Sequence, residues 1–125
     1  MKKEILYISA FLIILLIVFF IIRSFKITDG KIAEIAEKEV SSTLYDPYTA
    51  KFSNITVSKM SDESGAKTYR VCGFVNSKNL YGAYTGNKQF YILILSSGSS
   101  LSPLNKPVIE DSQTYGGIVN TLCNK

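Results

Sequence analysis

Residues Ile5 to Ile22 form an 18-residue run in which Ser9 is the only position that is not apolar. As a helix, such a run rises about 27 Å, close to the ~30 Å hydrocarbon core of a bilayer. Tyr7 near one end and Phe25 just past the other supply interfacial aromatics, so the pattern predicts a transmembrane helix over 5–25. A cleaved signal peptide has a shorter apolar region, about 7 to 15 residues, closed by a small-x-small site. Here Ile21-Ile22-Arg23-Ser24-Phe25-Lys26 offers no such pair, and no cysteine follows the run as a lipoprotein site requires. The expectation is an uncleaved anchor.

Beyond the run the periodicity changes. Ile32, Ala36, Val40 and Leu44 recur every four residues, with Ile35 beside them, which predicts a helix over Lys31–Leu44 capped by Asp29 and Gly30. Glu34 and Lys38 form a candidate i,i+4 pair on its solvated side. Asp46-Pro47 stops the helix, because the residue before a proline is pushed out of the α region. Three strands follow. Lys51–Met60 alternates, with Ile55 and Val57 on one face; Thr68–Asn76 and Gln89–Leu95 carry apolar groups on both faces and read as central. A polar turn over 61–65 joins the first two. Pro103 and Pro107 predict an irregular 101–107, and a final helix is expected from Asp111 to Cys123, weakened by Gly116-Gly117. The fold class is α+β: a membrane anchor over 1–27, then a small antiparallel sheet with flanking helices over 28–125.

Charge narrows the partners once it is divided. The formal net charge of +4 owes +3 to Lys2, Lys3, Arg23 and Lys26 against Glu4, leaving the remainder at +1. No basic stripe marks the folded part, so nucleic acid is not an expected partner. The chain has no His and two Cys, which excludes imidazole triads, His-ligated zinc and four-thiolate zinc. Asp46, Asp62, Glu63, Glu110 and Asp111 are expected in loops, where solvated turn and cap residues also sit. No catalytic residue, cofactor or metal is expected.

Cys72 and Cys123 have no CxxC spacing and read as one structural disulfide in an oxidising compartment, against the alternative of two buried thiols in a cytosolic domain. Lysines and arginine flank the apolar run almost evenly, so the positive-inside rule is close to a tie. The four-residue N-terminal tail and the cysteine pair favour a cytoplasmic N-terminus and a C-terminal domain outside the cytoplasmic membrane.

One stretch asks for a function. Residues 76–88 separate two strands by more than the two to five residues usual for a hairpin. Asn76, Asn79, Gly82 and Gly86 suit tight turns, Tyr81 and Tyr84 suit an interface, and Lys78 adds charge. These seven are the candidate partner-binding residues; the competing expectation is a self-packed loop whose tyrosines cover one end of the sheet. The run Cys72-Gly73-Phe74-Val75-Asn76-Ser77-Lys78-Asn79-Leu80-Tyr81-Gly82-Ala83-Tyr84-Thr85-Gly86, with Phe90 beyond it, resembles a CGxVNxKNxxGxYxGxxxF pattern of small exported bacterial and phage-derived proteins. Asp46-Pro47-Tyr48-Thr49-Ala50-Lys51-Phe52 matches the DPxxAKF segment that precedes it there, and Cys123 matches their closing cysteine. The resemblance spans 46–90 and implies export and a cysteine-closed fold, but no activity.

Three functions fit. The first is an anchored, non-catalytic binding or accessory module that recognises an envelope protein or glycan through 76–88. The second is a phage- or plasmid-type inhibitor, immunity or exclusion factor in the periplasm. The third, a pilin-like subunit, needs a processing glycine before the apolar run, where Lys3-Glu4-Ile5-Leu6 has none.

Overall fold

The computed structural model describes residues 1–24, 26–111 and 117–125. Helix α1 (Lys2–Ser24) is long and apolar enough to cross a membrane, and its apolar side chains are exposed along its length. The expected interfacial role of Phe25 lies outside the described residues.

Helix α2 (Asp29–Ser42) starts one residue later than a cap at Thr28, whose hydroxyl accepts a hydrogen bond from the Lys31 amide. Thr28, not Asp29 or Gly30, is therefore the N-cap: its extended backbone leaves the side-chain oxygen facing the first turn. The i,i+4 arrangement of Ile32, Ala36 and Val40 buries one face of α2 completely. Glu34 and Lys38 are not among the ion pairs of the described residues, which join Lys59 and Lys67 to Asp62.

After a short 3-10 turn (Pro47–Thr49), strands β1 (Lys51–Glu63), β2 (Ala66–Asn76) and β3 (Lys88–Ser97) form an antiparallel meander. The β1–β2 turn is tighter than the expected 61–65 loop. Ser64 and Gly65 alone make it, with φ of 49° and 82°, the two positive values a type I′ hairpin needs. Beyond β3 the sheet is shared end to end by β4 (Ser100–Pro103) and β5 (Val108–Asp111). Residues 101–103, expected to be irregular, thus belong to a strand: Gly98 turns the chain so tightly that Ser100 falls opposite Ser97. Between β4 and β5 the Asn105 side chain takes the place of a strand partner, its Oδ1 accepting from the Leu93 amide at 2.7 Å. Bulges interrupt the pairing of β1, one of them around Asn54 at φ 50°, and Pro103 and Pro107 flank the break on the opposite edge.

Alternation along β2 and β3 sends side chains to two cores. Val71, Val75, Phe90, Ile92 and Ile94 pack with α2; burial of each such side chain contributes about 1.5–3 kcal/mol. On the other face Cys72 and Tyr91 meet Val119 of α3 (Ile118–Cys123). The Cys72–Cys123 disulfide is formed, across 51 residues. Arg70 adds a second tie, its Nη1 donating to the Leu122 carbonyl at 2.7 Å. Asp111 lies in β5 and does not open the last helix; residues 112–116 fall outside the described residues. Instead Glu110, next to it in the chain, accepts from the Ile118 and Val119 amides, satisfying donors that a helix start leaves free.

Candidate functional site

The 76–88 stretch shortens once its ends join the sheet. Asn76 closes β2 and Lys88 opens β3, leaving 77–87 as the loop. Its backbone is held by its own side chains. Asn79 Oδ1 accepts from the Tyr81 and Ala83 amides, an Asx arrangement that fixes the tip. Asn79 N–H donates to the Ala83 carbonyl, and Gly82 N–H to the Asn79 carbonyl. Lower down, Lys78 and Tyr84 form a bridge, Thr85 N–H donates to the Ser77 carbonyl, and Asn76 Oδ1 accepts from the Gly86 amide at 3.1 Å. Gly82 and Gly86 take φ of 77° and 94°, values a Cβ disfavours. Four of the seven expected site residues, Asn76, Asn79, Gly82 and Gly86, thus shape the loop itself.

The other three divide. Tyr81 is 92% exposed at the tip, with Leu80 beside it. It covers none of the sheet. Tyr84 is 39% exposed and packs instead with two lysines: Lys51 Nζ lies 4.4 Å and Lys78 Nζ 5.5 Å from its ring centroid, both within cation–π range. Tyr81 thus does not cover the end of the sheet, and the ring contacts of Tyr84 are with lysine side chains.

Sequence reading placed neither Lys51 nor Thr49 in the site. Both come from the 46–52 segment, which the fold brings against the loop. Pro47 starts the 3-10 turn at a position that needs no N–H. That turn holds Thr49 where its hydroxyl donates to the Asp46 carbonyl and accepts from the Lys78 amide at 3.0 Å. The adjacency of 46–52 and 72–90 in the quoted pattern is the signal that could have paired them.

The pattern's apolar members have a separate purpose. Gly73 faces Phe90 across β2 and β3, and a Cβ on it would stand 2.9 Å from the ring. Phe52 meets the same ring edge-on at 5.8 Å. Gly73 is small so that Phe90 can lie flat on the strand.

Beside the loop a groove of about 370 Å³ runs between it, the end of α2 and β5, lined by Leu44, Tyr45, Ser77, Lys78, Thr85 and Lys88. Tyr48, 99% exposed, stands on the adjoining 3-10 turn. Among the described residues no cluster of His, Cys, Asp or Glu is arranged to hold a metal. Of the five acidic residues expected in loops, Asp62 and Glu63 end β1 and Glu110 and Asp111 lie in β5. Asp62 pairs with lysines and Glu110 holds α3.

The loop sits at one end of the sheet. Lys26 and Ile27, just past α1, line a hollow at the other end with Gly65, Lys67, Ser96 and Gly98. The ten residue steps of β2 separate the two ends by about 33 Å at strand rise. No known protein family, curated protein or solved structure matches this chain.

Proposed function

We propose that this chain is a membrane-anchored binding module without catalytic activity. In this reading α1 stays in the cytoplasmic membrane with its N-terminus in the cytoplasm. The sheet domain lies on the outer side and recognises an envelope protein through the 77–87 loop and the adjoining 3-10 turn. The carrying observation is the loop's construction: its backbone is fixed by Asn76, Asn79 and Thr49, while Tyr48 and Tyr81 are left almost fully exposed. A rigid loop that presents aromatic side chains loses little conformational entropy on binding. Its place at the end of the sheet away from α1 supports a partner in the aqueous space and not in the bilayer. The Cys72–Cys123 bond supports an oxidising compartment.

The test is in-cell photocrosslinking with a photoreactive analogue at Tyr81, the tip residue with the least packing of its own. One dominant protein adduct is expected. Absence of any adduct from folded, membrane-inserted protein overturns the reading. A lysozyme or toxin in the adduct would convert it to the inhibitor function.

A further inference from the structure

Lys51 and Lys78 arrive at Tyr84 from separate parts of the chain, one at the start of β1 and one in the loop. With ring-centroid distances of 4.4 and 5.5 Å, the two ammonium groups lie at most about 10 Å apart, on the order of a Debye length at physiological salt. Both positive charges lie beside one ring, and an anion that reaches them is attracted by both. Among the described side chains neither lysine has an ion-pair partner: the ion pairs there are Lys59–Asp62 and Lys67–Asp62. Glu110, one of the two acidic residues of β5 and opposite Gln89, is taken up by the amides of α3.

We infer that Lys51 and Lys78 form a carboxylate-binding pair around the Tyr84 ring, and that the partner is a protein presenting an acidic segment there. The inference rests on the binding-module reading and names the chemistry of its partner. Three features support it. The backbone beneath the pair is fixed, because the Thr49 hydroxyl accepts from the Lys78 amide and the Lys78 and Tyr84 backbones form a bridge. Its surroundings are exposed and partly apolar, with Leu80, Tyr81 and Tyr48 nearby in the fold, the mixture of anchors and charge found at protein interfaces. It also lies at the end of the sheet away from Lys26 and Ile27, about 33 Å along β2.

The experiment uses the full chain in zwitterionic bilayer discs and a fluorescein-labelled oligoglutamate peptide, read by anisotropy. Saturable binding is expected, weakening as salt is added. Lys51→Gln with Lys78→Gln should weaken it about tenfold or more, whereas Lys51→Arg with Lys78→Arg should retain it, since charge and ring contact persist. Lys26→Gln with Lys67→Gln, at the other end of the sheet, should leave it unchanged. No saturable binding by the wild type, or equal binding by the Lys51→Gln/Lys78→Gln chain, overturns the inference. Displacement of the peptide by a lower concentration of inorganic phosphate overturns it too, by assigning the pair to phosphate. The Tyr81 adduct separates the two readings. If it persists in the Lys51→Gln/Lys78→Gln chain, the binding module stands and the acidic segment falls; if it is absent from the wild type, both fall.

Discussion

The hydroxyl of Thr49 accepts a hydrogen bond from the backbone amide of Lys78 at 3.0 Å, across 29 residues of sequence. It is the tie between the 3-10 turn and the loop. Thr49→Val keeps the shape and removes the acceptor, leaving a part-buried amide unpaired at a cost of about 1–3 kcal/mol. Chemical denaturation measures the loss. Hydrogen exchange should show it concentrated at 77–87, and a loss spread evenly over the sheet would contradict the bracing role.

The disulfide yields a comparison of three variants. Closing a 51-residue separation is worth on the order of 4 kcal/mol in the chain-entropy model. Cys72→Ser and Cys123→Ser should therefore destabilise alike, and the double variant should lose no more than either alone. Thermal melts in non-reducing buffer would expose any inequality between the two singles.

Gly73→Ala should destabilise by about 1–3 kcal/mol, because the added methyl meets the Phe90 ring at 2.9 Å and Ile55 at 3.1 Å. The expected signature is coupling. In a Phe90→Leu background the same substitution should cost clearly less, as a double-mutant cycle would read. Equal costs in both backgrounds would place the strain elsewhere.

Glu37 has its carboxyl pushed above the ordinary 4.5, first by burial and then by the charge of Glu34. The native state then holds a proton that the unfolded chain has released. This contribution is fully present below the unfolded value and is lost as pH rises through the folded one. Stability should fall over the pH window just above 4.5, and Glu37→Gln should flatten that slope. Urea midpoints taken through this range, wild type against variant, provide the check.

Much of the fold is legible in sequence, and the reasons are local. The four-residue recurrence of Ile32, Ala36 and Val40 marks a buried helix face, and apolar groups on both sides of β2 and β3 mark central strands, each facing a core on either side. The parts that escape depend on partners distant in the chain. Ser100–Pro103 has no strand pattern of its own and is a strand because Gly98 folds it onto β3. Glu110 reads as a solvated acid until α3 brings its amides to it. In the candidate site, turn chemistry makes Asn79, Gly82 and Gly86 readable. The meeting of Lys51 with Tyr84 is not, since it depends on the register that sets Lys51 opposite Asn76.

If α1 anchors the chain as proposed, the interruptions at the two sheet edges matter most. Confinement to a surface raises the local concentration of domains and orients their sheets alike, conditions that favour strand-to-strand polymerisation. An unbroken 13-residue β1 would offer a template for it. The bulge at Asn54 and the prolines flanking the β4–β5 break deny a neighbouring copy a straight row of free amides and carbonyls. In the anchored reading, crowded copies would thereby stay separate molecules, each with its loop free.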